Sequence, residues 1–280
     1  MILPQTEWLL PKEFPDLTKH KEIAIDLETR DPDLKSKGSG AIIGNGEIVG
    51  IAVAVEGWKG YYPIAHEAGP NLDPKKVIDW FTKVCECPAT KIFHNAMYDV
   101  SWIRNLGVKI NGLLVDTMIA SSLIDENRFS YTLNSMSWKY LSKGKNEALL
   151  NKAAKERGLD PKADMWRLPA MEVGSYAEQD AVLTLELWQQ LKKIMAEQDL
   201  EKIFNLETEL FPCLVDMRFY GVKVDVQKAH TLKTALALKE ENLIHQIKIE
   251  TGIDIQLMAA RTIAPLFDKL NLEYSKTEKS

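Results

Sequence analysis

Apolar and polar positions alternate with a period of two near the start of the chain and with a period near 3.6 further on. Residues 23–27 (IAIDL), 48–55 (IVGIAVAV) and 61–64 read as strands. The polar, glycine-rich stretch 29–46 between the first two reads as a loop, and Gly57 and Gly60 flank a turn before the third. These three strands predict a meander at one edge of a sheet. Strand and helix then alternate. Asp73 and Pro74 open a helix whose apolar face is Val77, Ile78, Trp80, Phe81 and Val84. Residues 91–94 form a short strand, 96–106 a helix stopped by Gly107, 113–115 another strand and 116–123 another helix. From Tyr131 onward helix follows helix: 146–157 up to Gly158, 173–196, 200–219 up to Gly221, 225–250 up to Gly252, and 261–270. The chain finishes on polar YSKTEKS. The order predicts an α/β fold, a mixed sheet flanked by helices and followed by a helical C-terminal extension. The boundary is expected near Asp199, as domains 1–199 and 200–280.

The composition is that of a globular chain with a sizeable core, 45% hydrophobic and 27% charged over 280 residues. A net charge of −5 excludes a histone-like basic binder, but not a nucleic-acid enzyme with unevenly distributed charge. Three cysteines do not make a disulfide framework. Cys85 and Cys87 lack a second Cys/His cluster, so they read as reduced thiols near a helix end rather than a zinc site. The five histidines show no ligand spacing. No run approaches the ~18 apolar residues of a membrane span. MILPQTEWLLPKEF lacks the basic and apolar regions of a signal peptide. A cytoplasmic protein without a membrane partner is expected.

Candidate chemistry lies in three carboxylate motifs. Asp26 and Glu28 sit two apart on a strand and share one face. Like charges that close repel unless a cation lies between them, which suits a hard divalent metal with oxygen ligands. His94-Asn95-Ala96-Met97-Tyr98-Asp99 passes from strand to helix, with Asn95 at the N-cap and Asp99 in the first turn. Tyr176 and Asp180 are four apart within a helix and share a face. Asp116, after a short strand, reads as a structural N-cap, and His94 as a packed strand residue.

In this order, a D-x-E on a strand, an N-x-x-x-D and a Y-x-x-x-D resemble the DEDD superfamily of 3′–5′ exonucleases. The tyrosine subgroup fits. The histidine subgroup has a His where this chain has Ser175. The resemblance implies a ribonuclease H-like fold and catalytic residues Asp26, Glu28, Asp99, Tyr176 and Asp180. It also implies two divalent ions per active site, Mg²⁺ or Mn²⁺, clamping the attacking and leaving oxygens of an in-line displacement. Asp26, Glu28 and Asp180 would hold the tighter ion. Asp26 would bridge to the second, with Asp99 acting through that ion's water shell. Tyr176 would orient the attacking water, and Glu28 would lie near the terminal 3′-hydroxyl. The product would be a nucleoside 5′-monophosphate.

The implied substrate is a single-stranded or frayed DNA 3′ end, as on a primer–template. Single-strand binding uses a basic groove interleaved with aromatic rings. Residues 128–167 carry nine basic side chains against four acidic ones, with Phe129, Tyr131, Trp138, Tyr140 and Trp166 among them. Candidate nucleic-acid contacts are Asn95, Arg128, Trp138, Lys139, Lys143 and Lys145. A solvated helical region with core aromatics is the competing reading of that stretch.

Residues 207–225 (ETELFPCLVDMRFYGVKVD) and the helices after them resemble the opening of the polymerase domain and the thumb base in family A DNA polymerases, with a bacteriophage-like layout. Palm and fingers motifs of that family are not found in these 280 residues, so no polymerisation by this chain alone is expected. The remainder of a polymerase would be missing from it, as in a fragment or split gene product. Two alternatives stay open: an RNase D-like exoribonuclease, and a catalytically idle DNA-binding or scaffold module.

Overall fold

A computed structural model describes residues 7–274. The MILPQT start of the N-terminal segment, read as lacking a signal peptide, and the SKTEKS end of the polar tail lie outside the described residues. In chain order the elements are β1 (Glu22–Arg30), α1 (Gly40–Ile43), β2 (Glu47–Val55), β3 (Trp58–Pro63), α2 (Pro74–Glu86), β4 (Thr90–Phe93), α3 (Ala96–Asn105), β5 (Leu114–Asp116), α4 (Thr117–Ile124), α5 (Leu133–Leu141), α6 (Ala148–Arg157), α7 (Ala170–Glu197), α8 (Glu201–Tyr220), α9 (Val226–Thr251) and α10 (Ala260–Lys269). No helix of the described residues is long and apolar enough to cross a membrane.

The strands form one five-stranded sheet in the order β3-β2-β1-β4-β5. β1–β3 are the antiparallel meander expected from the alternation, and β4 and β5 run parallel to β1. Side chains alternate between the two faces. Ile23, Ile25 and Leu27 join Ile51, Val53 and Phe93 under α2 and α3. Ala24 joins Ala52, Ala54 and Ile92 under α7. The small residues on this second face let the 28-residue helix α7 lie close to the sheet. Asp26 and Glu28 share the parity of Ala24, so they project from the α7 face.

Local chemistry accounts for the helix starts. Asp73 accepts from Lys75 N (2.9 Å) and Lys76 N (3.3 Å) with Pro74 in the first turn, as the sequence predicts. Cys85 and Cys87 are free and buried at the end of α2. One expectation is corrected: the stretch 29–46 is not wholly loop. Its first residues extend β1 to Arg30, and Gly40 N donates to both oxygens of Asp31 (3.0 and 3.1 Å), which anchors the short helix α1.

Two compact units divide the chain, one running to Tyr220 and one from Gly221. The first unit includes α8, because Phe204 packs into the core under α7 while Phe211 and Val215 pack into the core under α3. The second unit holds α9 and α10. Among its described residues Thr251, Ile255 and Leu266 are buried, and Lys248 pairs with Asp254 at 2.8 Å. Leu232, Leu236, Leu243 and Ile249 on α9 are exposed.

Candidate functional site

The site forms where β1 outruns β4. The two strands pair through Glu22, Ile23 and Ala24 only. Beyond Ala24, the Leu27 N–H donates instead to Asp99 Oδ1 (3.0 Å), which enters from the first turn of α3. Asp26 lies opposite Ala52 on β2 and Glu28 opposite Gly50. The β1–β2 register then steps past Val49, a bulge at the end of the D-x-E segment. The freed Val49 carbonyl accepts from Ile64 N (2.8 Å) and Ala65 N (3.0 Å). From the opposite side, α7 brings Tyr176 and Asp180, both buried.

The four carboxylates perturb one another. Burial, then the Asp180 charge, raises the Asp26 pKa to about 7. Burial and the charges of Asp26 and Asp180 hold Glu28 well above the usual carboxylate range. Asp99 is raised by burial and by Asp26. Asp180 is raised by burial, with Lys145 acting against it. Asp26 and Glu28 keep part of their own surface open, whereas Asp99 and Asp180 are 5% and 3% exposed. The Tyr176 phenol is pushed strongly upward, first by burial and then by Asp180, so it keeps its proton.

Lys145 is the cation bonded directly to this cluster, with Lys162 acting on Glu28 as a weaker charge. Its Nζ bonds Asp180 Oδ2 and lies 3.2 Å from the Tyr176 hydroxyl. Burial pulls the ammonium pKa down, but Asp180, Asp26 and Glu28 outweigh burial and the net shift is upward. The backbone around Lys145 is tied down. Lys145 N donates to Asn134 Oδ1 (2.9 Å), Asn146 N to Gln179 Oε1 (2.7 Å), and Gln179 Nε2 back to the Gly144 carbonyl (3.2 Å).

The other candidate nucleic-acid contacts scatter. Trp138 and Lys139 are exposed on α5. Lys143 pairs with Glu186 at 2.5 Å and Arg128 with Asp125 at 3.8 Å. Asn95 is exposed, with φ 68°, and its side chain makes no cap bond. The expected Asn95 cap is therefore corrected. Asp116 does that work, accepting from Asn95 N (3.0 Å) and Ala96 N (2.8 Å) as well as from Met118 N (2.8 Å) at the start of its own helix. His94 is held by the Tyr131 carbonyl at Nε2 and by Thr117 Oγ1 at Nδ1, both 2.8 Å, and burial lowers its pKa to about 4. It packs, as expected. Of the interleaved aromatics, Tyr131 and Tyr140 pack against the core under α7, while Phe129 and Trp138 are exposed.

Sequence reasoning missed a second polar group. Tyr61 lies over Gly50, where a Cβ would stand 2.1 Å from its hydroxyl. The hydroxyl is 2.6 Å from His66 Nε2, and His66 Nδ1 is 2.8 Å from the Leu168 carbonyl. The sequence signal was a glycine inside a strand, which often marks a close approach.

An all-oxygen carboxylate set suits a hard divalent cation. Asp180 Oδ1 is buried and has no hydrogen-bond partner, an atom that a cation would satisfy. Asp26, Glu28, Asp99 and Asp180 are the residues available to hold one. Among the described residues no three acidic, histidine or cysteine groups already converge as a ready ligand set. The Lys145 ammonium sits on Asp180 instead.

Residues 3–196 match the family model described as 3′–5′ exonuclease of DNA polymerase A. The chain belongs to that family. A DNA-directed DNA polymerase of Pseudomonas phage M6 is 34% identical over 98% of this chain and 43% of its own length. The chain spans under half the length of the curated phage relatives it matches. Among solved structures, the POL domain of Pol1 from M. smegmatis aligns with a TM-score of 0.64 at 18% identity, over 94% of this chain and 40% of that one. The nuclease NrnC of Brucella melitensis with bound Mg²⁺ aligns with a TM-score of 0.54 at 16% identity, over 74% of this chain and 89% of that one. These likenesses show that the exonuclease has the ribonuclease H-like α/β fold, with its mixed sheet flanked by helices.

Proposed function

We propose that this exonuclease removes nucleotides from single-stranded or frayed DNA 3′ ends, as the proofreading part of a family A DNA polymerase, releasing nucleoside 5′-monophosphates. The observation that carries the reading is that β1, α3 and α7 bring Asp26, Glu28, Asp99 and Asp180 near enough for burial and one another's charges to raise their pKa values. Asp26, Glu28 and Asp180 would hold one Mg²⁺ or Mn²⁺ ion, and Asp26 with Asp99 a second. Such ions, when bound, stabilise the attacking and leaving oxygens of an in-line phosphoryl displacement. The chain's own groups supply position. The Leu27 N–H fixes the Asp99 carboxylate. Tyr176, a phenol that keeps its proton, orients a water rather than deprotonating it. Asn95, Trp138 and Lys139 are exposed and available to a nucleic-acid strand, Trp138 by base stacking.

Residues 1–199 are assigned to the exonuclease and 200–280 to the start of the polymerase domain. The phage M6 alignment runs through both segments, which is in keeping with both being parts of one polymerase. The 280-residue chain by itself is expected not to lengthen a primer, and any product longer than the primer overturns that.

A 3′-labelled single strand with Mg²⁺ or Mn²⁺ tests the reading. Asp26→Ala should cut the rate by more than about 1000-fold, several kcal/mol of lost transition-state stabilisation. Tyr176→Phe should cost less, below about 100-fold. Equal rates for wild type and Asp26→Ala refute the site. Faster trimming of a matched RNA overhang than of DNA favours an RNase D-like substrate instead.

A further inference from the structure

Lys145 entered as one basic residue among nine in a stretch suited to binding nucleic acid. Its position is more specific than that. Its side chain is 13% exposed, and its ammonium is bound to an Asp180 side chain that is 4% exposed. Three hydrogen bonds fix the chain at residues 144–146, two of them through Gln179, which neighbours Asp180 on α7. Gly144 adds a fourth restraint, since a Cβ there would stand 2.1 Å from Trp138 Nε1. A loop gripped in this way delivers one cation to one carboxylate. The other Asp180 oxygen is buried without a partner. Four clustered acids without a counter-charge would repel or be forced to take up protons.

We propose that Lys145 is a built-in counter-ion that occupies the divalent-cation position on Asp180 in the metal-free protein, and that metal binding displaces it. The inference rests on the carboxylate cluster being the metal site. A monovalent ammonium on Asp180 then competes with the divalent ion. The 144–146 clamp raises the metal concentration needed for loading while keeping the empty cluster from flying apart. A lysine that only contacts substrate phosphate would leave metal affinity unchanged when removed.

Calorimetric titration of Mn²⁺ into the full chain, without nucleic acid, separates the outcomes. Lys145→Met keeps the stem and removes the charge, and should tighten the Mn²⁺ dissociation constant at least about fivefold, the lower end of typical coupling between linked ligands. Gln179→Ala, which frees the loop without touching the cation, should tighten it in the same direction by a smaller factor. It serves if Lys145→Met does not fold. Lysine acetylation followed by mass spectrometry gives an independent readout: Lys145 should be protected in EDTA and become more reactive when Mn²⁺ is added. Equal or weaker Mn²⁺ binding by the variants, with wild type binding normally, overturns the counter-ion role and leaves the exonuclease reading standing. Absence of Mn²⁺ binding by wild type overturns both.

Discussion

Asp116 should be worth more to the protein than any single surface cap, although it lies outside the carboxylate motifs. Its two oxygens accept the N–H groups of Asn95, Ala96 and Met118 at 2.8–3.0 Å, so one side chain closes the first turns of both α3 and α4. Losing a helix cap costs about 1 kcal/mol, and leaving a buried N–H unpaired costs about 1–3 kcal/mol. Ala96 is fully buried, so water cannot replace that bond. Burial raises the Asp116 pKa in spite of its N–H donors, which offsets part of the gain. Asp116→Ala should therefore lose about 3 kcal/mol in urea denaturation. Asp116→Asn keeps one capping oxygen but turns an amide NH2 toward the N–H group at the other, so it should lose about 1–3 kcal/mol. Because the same bonds hold the turn that carries Asp99, Asp116→Ala should also weaken Mn²⁺ binding. A loss under about 1 kcal/mol for Asp116→Ala, or no loss for Asp116→Asn, refutes the double cap.

Other expectations follow from the same geometry. Asp26, Glu28, Asp99 and Asp180 all have raised pKa values in the folded state, so their protonated forms favour folding. In EDTA the protein should lose stability as pH rises from the ordinary carboxylate range near 4 through the Asp26 value of about 7. Mn²⁺ should restore more stability at pH 7.5 than at pH 5, and thermal unfolding that is flat across this window in EDTA counts against the cluster. Gly50→Ala should destabilise by about 2–4 kcal/mol, because its methyl displaces Tyr61 from His66 in a packed core. Retained stability with an unmoved Tyr61 in a crystal of the variant contradicts that packing. Trp138→Ala should weaken single-stranded DNA binding by about 1–3 kcal/mol in fluorescence anisotropy if its exposed ring stacks on a base, and an unchanged affinity removes it from the strand's path.

Much of the site was legible because its motifs obey local geometry. Period two puts Asp26 and Glu28 on one face of β1 whatever lies above it. A four-residue step puts Tyr176 and Asp180 on one face of α7, and the strand-to-helix passage puts Asp99 in a first turn. The meander and the Asp73-Pro74 helix start were legible for the same reason. Asn95 was misleading because an N-cap residue was expected to cap its own helix. The N–H groups at the start of α3 are instead taken by Asp116, 21 residues away, whose carboxylate the parallel pairing of β4 and β5 brings there.

The sequence by itself determined the order of elements, the two faces of the sheet and which acids can act together, since each depends on the repeat of a strand or helix. Tertiary structure alone decided what stands among those acids. Lys145 is 35 positions from Asp180 and lies in a loop with no periodicity, so nothing local distinguishes it from the other basic residues around it. Its place depends on Gln179, Asn134 and Gly144 gripping the backbone across three segments. The compact division after Tyr220 is likewise a packing result. Helix α8 lies after the family match, which ends at residue 196, and the burial of Phe204, Phe211 and Val215, with Arg104 on α3 reaching Asp216 and Phe219, ties it to the sheet-bearing unit.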